Sequence, residues 1–240
     1  MPLIPLVMPR TSRIVPLVSR VLSLIPLSAL LLVACGEEVS VEKTVTAADW
    51  IAEGAHDHAI LEIRDIGNIR IQLLPELAPQ TVENFIQLAE EGFYEGILFH
   101  RVIPGFMVQT GDPTSRNPDP RLVGSGDPGY QIQDEFSDFP HTRGVVSMAN
   151  QGTHHSGGSQ FFIVHQDSLW LDGQFSVFGR VVAGLEVVDA ITEIEIDIYG
   201  RYGPPDRPHP VPVVIDAVHI EHAGMEVAAT RSPAQDSQKR

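Results

Sequence analysis

The stretch YEGILFHRVIPGFMVQTGD, from Tyr94 to Asp112, contains two short runs of β-branched and aromatic residues separated by Pro104-Gly105. Pro-Gly pairs mark turns, so the pattern predicts two strands joined by a tight connection. One concave patch on this pair would combine a single cation, an amide and apolar bulk, from Arg101, Phe106, Met107 and Gln109. On composition alone, a cluster of this kind is better interpreted as ordinary core.

The chain on both sides of this stretch continues as short β-rich runs with two helical patterns. Residues 59–75, AILEIRDIGNIRIQLLP, alternate around Gly67-Asn68 and predict a hairpin with one solvated face. Helical spacing predicts a helix that begins at Pro79 and is capped at Gly92, and a second helix over residues 185–192. Further strand-like runs are GVVSMAN, SQFFIVH, FSVFGRVV and VPVVIDAVHI. Many strands with two helices favour an antiparallel barrel or sandwich capped by helices.

Composition excludes several classes of function. The 240 residues are 43% hydrophobic, which is enough for a packed core. Sixteen basic residues against 31 acidic residues give a net charge of −15, so we expect no nucleic-acid partner. The single cysteine, Cys35, excludes an intramolecular disulfide and a cysteine-based zinc site.

Three other patterns are weak as functional sites. Residues 124–129, GSGDPG, have the glycines of a dinucleotide fingerprint without its preceding strand and following helix, so we predict a surface loop. The acidic neighbours Asp134 and Glu135 lie on a strand-like run and would face opposite sides. Ten histidines include no HExxH pattern. We therefore expect no cofactor and no metal; metal sequestration by His154 and His155 is an alternative hypothesis.

The N-terminus has the pattern of an export signal. Residues 1–34 contain three arginines and no acidic residue, and they end in an apolar run of 14 residues, too short to span a bilayer as a helix. The sequence LVACG at residues 32–36 resembles the lipobox of bacterial lipoproteins, in which Cys35 becomes the lipidated first residue. An ordinary signal peptide with a chance cysteine is the alternative. Removal of residues 1–34 would change the net charge from −15 to −18.

Four ordered runs resemble the signature segments of cyclophilins, the peptidyl-prolyl cis/trans isomerases. They are residues 94–112, 144–150, 159–163 and 170–179, and the helix sequence TVENFIQLA is also similar. The resemblance covers residues 58–222 and implies a mainly β fold, a closed eight-stranded antiparallel barrel capped by two α-helices. The remaining segments are then a signal peptide over 1–34, a tether over 35–57 and a disordered tail over 223–240.

The resemblance also assigns site residues, position by position. It implies that Arg101 is the catalytic arginine, with Phe106 and Gln109 beside it. The implied proline pocket and peptide-binding wall comprise Met107, Ala149, Asn150, Gln151, Gln160, Phe162, Trp170, Leu171 and Phe175. Trp170 matches the tryptophan that favours cyclosporin binding in the family. Phe175 departs from the pattern, since many members have histidine there, and this puts peptide preference and cyclosporin affinity in doubt.

The resemblance implies an isomerase of X-Pro bonds that acts on proline-containing polypeptides without a cofactor. With the export signal, we predict a monomer anchored by lipid to the periplasmic face of a bacterial membrane, preferably the outer one, where it assists the folding of envelope proteins. The alternative is a cyclophilin-like module that binds proline-containing peptides as a chaperone or scaffold without turnover.

Overall fold

The computed structural model describes residues 56–117, 119, 123–201 and 205–223. Cys35, the predicted signal peptide, residues 35–55 of the tether and residues 224–240 of the tail lie outside the described residues. Within the described part of the chain, no helix is both long and apolar enough to cross a membrane.

The predicted hairpin consists of β1 (His58–Ile63) and β2 (Gly67–Leu73). Alternate residues of β1 are buried, as expected for a strand with one face on a core. The other strands of the main sheet are β3 (Arg101–Ile103), β4 (Met107–Thr110), β5 (Val145–Met148), β6 (Phe161–Val164), β7 (Ser176–Ala183) and β10 (Ile215–Glu221). They form one eight-stranded antiparallel sheet in the order β10-β1-β2-β7-β5-β6-β4-β3.

The prediction of a closed barrel is wrong: the sheet is an open half-barrel whose edge strands, β10 and β3, do not pair. The chain before β3 is mostly turn, and it contacts the start of β10 through an isolated bridge between Leu98 and Val214 and through backbone hydrogen bonds to Ile215. Backbone bonds such as Phe99 N to Val213 O, 2.9 Å, cross the gap nearby. Because β3 has only three residues, it is too short to continue the ladder along the length of β10.

Two α-helices pack on the sheet, as predicted. The helix α1 (Pro79–Glu90) packs against β7 and β10, and α2 (Leu185–Glu193) packs against β2. Ala78 cannot cap α1 with its side chain, so Glu135 does so from a distant loop. Its carboxylate accepts hydrogen bonds from the backbone of Gln80 at 3.1 Å and of Thr81 at 2.8 Å. A carboxylate at this position also interacts favourably with the helix dipole.

A small ribbon of β8 (Ile196–Asp197) and β9 (Arg207–Pro208) lies outside the main sheet and has no counterpart in the sequence-based prediction. Each strand has only two residues, too few to show an alternating pattern.

The main sheet and the helices enclose the inner core, a cluster of buried apolar side chains. At its centre the rings of Phe85, Tyr94, Phe161 and Phe178 lie against one another, with centroids 5.2–6.1 Å apart. Val102, Val108, Val146 and Ile163 contribute to it from β3, β4, β5 and β6.

Candidate functional site

A second apolar cluster, the pocket cluster, lies on the opposite face of the same strands. Its buried members are Leu74, Leu77, Met107, Phe139, Val145, Phe162, Val164, Leu171 and Val177, and Ile103, Phe106, Ala149 and Phe175 pack at its edge. Successive side chains of a strand point to opposite faces, so Phe161 enters the inner core while Phe162 enters the pocket cluster. The sheet therefore builds both clusters from neighbouring residues.

Strand register places the predicted arginine, glutamine and phenylalanine in one row. Arg101 of β3 is opposite Gln109 of β4, and Gln109 is opposite Phe162 of β6. Ser147 of β5 continues the row, because it is opposite Phe162 on the other side. Residues directly opposite each other in an antiparallel pair share a face. A cation, an amide and an aromatic ring are thus aligned across three adjacent strands.

The turn between β3 and β4 brings Phe106 to the edge of this row. Gly105 has a φ of +79°, a conformation that favours glycine. Its backbone N–H donates to Nδ1 of His165 at 2.9 Å, and the carbonyl of Phe106 accepts from the His165 backbone at 2.8 Å. These bonds hold the turn against the end of β6 and present the half-buried ring of Phe106 to the pocket.

Aromatic rings and aliphatic groups form the walls of the pocket. Phe162 and Phe175 meet edge to face, with centroids 5.3 Å apart. The ring of Trp170 lies 5.6 Å from that of Phe106, and 62% of Trp170 is exposed, so it stands at the rim. Buried Leu171 follows Trp170 in a 3-10 turn, Leu169–Leu171.

A polar wall borders the pocket on the side of Gln109. The Nε2 group of Gln109 donates to Oε1 of Gln160 at 3.0 Å, and Gln160 donates to the carbonyl of Gly126 at 2.8 Å. Beyond this pair, a cavity of about 310 Å³ is lined by Gly124, Asp127, Ala149, Asn150, Ser156 and Gln160, among others. The glycine-rich loop at residues 124–129 therefore shapes a cavity and does not form a dinucleotide site.

The backbone at residues 149–151 has one amide available for a ligand. The N–H of Ala149 donates to the carbonyl of Gln160 at 2.8 Å, and that of Gln151 donates to Oγ of Ser156 at 2.9 Å. No acceptor among the described residues bonds the N–H of Asn150. The side chain of Asn150 is held by the carbonyl of Gln174 at 3.1 Å.

The charge at this site comes from Arg101. Its side chain is exposed, and no described carboxylate forms an ion pair with it. The adjacent His100 points to the opposite face and is buried, and this burial lowers its pKa, so its ring adds no second positive charge at neutral pH. Burial also lowers the pKa of His141, which lies behind the pocket.

The chemistry that this arrangement supports is binding, orientation and electrostatic stabilisation. It offers an apolar hole for a ring, a backbone donor and a guanidinium at the edge. The hydroxyl of Ser147 does pair with the His141 ring, 3.0 Å away, but both residues are fully buried behind the pocket. Such a site can stabilise a distorted form of a bound amide without forming or breaking a covalent bond. Among the described residues, no three His, Cys, Asp or Glu side chains are arranged to hold a metal ion. The rings of His154 and His155 instead each lie beside the carboxylate of Asp134.

The structure brings together all of the predicted site residues that it describes. Arg101, Gln109 and Phe162 form the row, and Gln160 with residues 149–151 forms the polar wall. Phe106, Met107, Leu171 and Phe175 belong to the pocket cluster, and Trp170 lies at its rim. Sequence reasoning missed His141 and His165, because isolated histidines outside any motif gave no signal.

The chain is similar in sequence to known peptidyl-prolyl cis-trans isomerases. A family model described as cyclophilin type peptidyl-prolyl cis-trans isomerase/CLD matches residues 58–220. A probable peptidyl-prolyl cis-trans isomerase of Brucella suis is 40% identical over 170 residues, which cover 69% of this chain and 84% of the relative. Peptidyl-prolyl cis-trans isomerase B of Bacillus subtilis is 45% identical over 143 residues, which cover 56% of this chain and 94% of the relative.

Solved structures also resemble the chain. A crystal structure of a cyclophilin type peptidyl-prolyl cis-trans isomerase of Cryptosporidium parvum has a TM-score of 0.60 and 26% identity, and the match covers 69% of this chain and 98% of the other. A second structure of that protein, in the presence of the dipeptide Ala-Pro, has a TM-score of 0.59 and 26% identity and covers 68% and 98% of the two chains.

Proposed function

Because the chain belongs to the cyclophilin-type peptidyl-prolyl cis-trans isomerase family, we propose that it isomerises X-Pro bonds in the cleft between Arg101 and the pocket cluster. The row of Arg101, Gln109 and Phe162 on adjacent strands is the observation that carries the proposal. It sets a hydrogen-bond donor and an apolar hole side by side, as a proline and its preceding amide require. The structure of the related Cryptosporidium protein in the presence of the dipeptide Ala-Pro supports a proline-containing ligand.

The reaction requires only that the twisted amide be favoured over both planar forms. Rotation about a peptide bond has a barrier of about 18–20 kcal/mol, because resonance is lost at the top. In our proposal the pocket cluster binds the proline ring, while the Asn150 amide donates to the backbone before it. Rotation then occurs between two held ends, and no nucleophile or metal is needed.

Arg101 supplies the electrostatic part by donating to the carbonyl oxygen or to the proline nitrogen as that nitrogen becomes pyramidal. A hydrogen bond that involves a charged group contributes about 1.5–3 kcal/mol. Since about 1.36 kcal/mol corresponds to a factor of ten in rate, Arg101 accounts for one to two orders of magnitude. The remainder comes from holding the ring and excluding water, for which the apolar walls are responsible.

The test is Arg101→Ala in an isomerisation assay with a tetrapeptide that contains one X-Pro bond. We expect kcat/KM to fall at least about tenfold with the fold intact, because the donor is lost. Arg64→Ala is the matched control, since Arg64 forms an exposed ion pair with Asp216, 2.5 Å away, outside the pocket. An unchanged rate in Arg101→Ala would contradict the mechanism. Peptide binding without any acceleration by the wild type would favour the non-catalytic binding module.

Partner selection is part of the same proposal. Exposed Trp170 beside Phe106 supports cyclosporin binding, and Phe175 closes the proline pocket with an apolar ring. Phe175→His would restore the residue that many relatives have, so we expect it to change the peptide preference and the affinity for cyclosporin. A competition titration with cyclosporin, run on the wild type and on the variant, compares their affinities for cyclosporin.

We further propose that the protein is exported and anchored by lipid at Cys35, and that it acts on envelope proteins as they fold. The apolar run of 14 residues and the following LVACG sequence support this location. Each buried acyl methylene contributes about 0.8 kcal/mol, so several chains can hold a folded domain at a membrane. Labelled palmitate should be incorporated by the wild type and lost in Cys35→Ser, and outer-membrane fractions should contain the label. Failure to label the wild type would remove the anchor.

A further inference from the structure

Behind the pocket cluster lies a buried histidine that the proposed mechanism does not use. His141 is fully buried, and its ring has a partner at each nitrogen. Nδ1 lies 2.9 Å from Oδ1 of Asp172, and Nε2 lies 3.0 Å from Oγ of Ser147. Because the ring bridges two separate segments, moving any one of the three side chains would disturb the others.

The partners determine which nitrogen carries the proton. Oδ1 of Asp172 also accepts the backbone N–H of His141 at 2.8 Å, so this oxygen acts as an acceptor. Nδ1 must then donate to it, which leaves Nε2 to accept the hydroxyl hydrogen of Ser147. Burial lowers the pKa of His141, which agrees with a neutral ring that has one donor and one acceptor.

The ring of His141 also contacts two phenylalanines of the pocket, Phe162 within the cluster and Phe175 at its edge. It lies nearly parallel to Phe162, with the ring centroids 6.2 Å apart and the ring planes at 19°. It lies edge-on to Phe175, with the centroids 6.3 Å apart and the planes at 77°. Because Phe162 and Phe175 meet each other at 89°, the three rings fix one another's orientation.

The hydrogen bonds connect this ring triad to two walls of the pocket. Ser147 is opposite Phe162 in the β5–β6 register, so one bond reaches the sheet. Asp172 follows Leu171 at the end of the 3-10 turn, so the other bond reaches the turn that carries Trp170. His141 therefore links the side of the pocket formed by the sheet to the side formed by the 3-10 turn.

We propose that His141 is a positioning residue for the isomerisation, which holds Phe162 and Phe175 in the orientation that receives the proline ring. This inference rests on the proposed function, because it requires the pocket cluster to be the proline site. His141 itself does not contact the substrate. Its effect on the rate is transmitted by the two phenylalanines and by the Ser147 and Asp172 hydrogen bonds.

The main test compares His141→Ala with His141→Asn. Alanine removes the ring and both bonds, and we expect kcat/KM per folded molecule to fall about tenfold, as for loss of one or two buried hydrogen bonds. Asparagine places an amide N–H near the position of Nδ1, and it should recover part of this loss by bonding Asp172. His222→Ala is the control, because His222 contacts two carboxylates, of Asp57 and Glu90, at 3.0 Å outside the pocket. It should lower stability and leave kcat/KM unchanged.

A second pair of measurements keeps the inference testable if His141→Ala does not fold. Nitrogen-15 NMR of the wild type should show a neutral imidazole protonated at Nδ1, and Ser147→Ala should lower kcat/KM severalfold. A ring protonated at Nε2, or an unchanged rate in folded Ser147→Ala and His141→Ala, would overturn the inference. If Arg101→Ala lowers the rate and these variants do not, the proposed function stands and this inference fails. If Arg101→Ala leaves the rate unchanged, the mechanism proposed for Arg101 fails, and if the wild type does not accelerate isomerisation, the proposed function fails.

Discussion

The inner core and the pocket cluster are built by the same strands but differ in how their rings are held. In the inner core, Phe85, Phe161 and Phe178 contact other apolar rings, all fully buried. In the pocket cluster, Phe162 lies against a histidine, and Phe106 and Trp170 reach solvent. A ring surrounded by others is held by packing from every side. A ring that must leave room for a ligand lacks neighbours on one side and needs a fixed polar support instead.

This difference implies that substitutions at neighbouring positions of a single strand can affect stability and activity separately. Residues that face the inner core should determine mainly the free energy of unfolding. Residues that face the pocket cluster should determine kcat/KM as well. Neighbouring positions are the sharpest comparison, because their backbone environment is nearly the same.

The largest effect is expected at the adjacent pair Phe161 and Phe162. Phe161→Leu and Phe162→Leu should each lower the free energy of unfolding by about 1–3 kcal/mol, because both rings are buried. Only Phe162→Leu should lower kcat/KM per folded molecule, at least about tenfold, since its ring forms the pocket wall. Urea unfolding and the tetrapeptide assay measure the two effects. Equal losses of rate in both variants would remove the distinction between the two faces.

A smaller effect is expected at Glu135, which caps the helix that covers the inner core. Glu135→Ala removes the acceptor for the backbone of Gln80 and Thr81, and should cost about 1 kcal/mol of stability. We expect kcat/KM to be unchanged, because α1 does not contribute to the pocket cluster. Urea unfolding provides the measurement. A loss of rate without a loss of stability would show that the helix cap acts on the pocket.

The smallest effect is a pH dependence that has opposite signs in the two kinds of histidine. Half-buried His222 donates hydrogen bonds to the carboxylates of Asp57 and Glu90, and these bonds raise its pKa. Its contribution to stability is therefore present below its ordinary pKa and is lost as pH rises through the raised value. Burial lowers the pKa of His141, so at that site stability falls when the pH drops below the ordinary histidine range.

The measurement is urea unfolding of wild type and His222→Gln at about pH 5.5 and about pH 8.5. The wild type should be more stable than the variant by a larger margin at the lower pH. A margin that grows with pH would mean that the ion pairs of His222 are absent in solution.

The sequence predicted most of the strands and both helices for identifiable physical reasons, and the predicted site residues that the structure describes lie close together. Alternation in β1 and helical spacing after Pro79 are local signals, and the structure has both elements. The residues alone placed Arg101 and Gln109 on one patch of a strand pair, whereas Phe162 was assigned to the site only by the resemblance to cyclophilins. Their roles in catalysis stay predictions until the variants are measured.

The features that the sequence did not predict depend on distant contacts. Barrel closure fails because β3 ends after three residues, and no local pattern reports how far two edges extend along each other. His141 and Asp172 are 31 positions apart, and their contact exists only once the turn that contains Trp170 has folded against the segment before β5. The capping of α1 by Glu135 spans 54 positions and likewise leaves no local trace.

The register between β3 and β4 restricts how this chain can change in length. A single inserted residue between Arg101 and Gln109 would shift one strand by one position, and a shift of one exchanges the two faces of a strand. A shift of β3 would direct the guanidinium into the hydrocarbon interior and Val102 out to water, and a shift of β4 would exchange the Gln109 amide with Val108 in the same way. Insertions and deletions are therefore tolerable in the long surface connections, whereas the three-residue turn at 104–106 must keep its length for the protein to remain both folded and active.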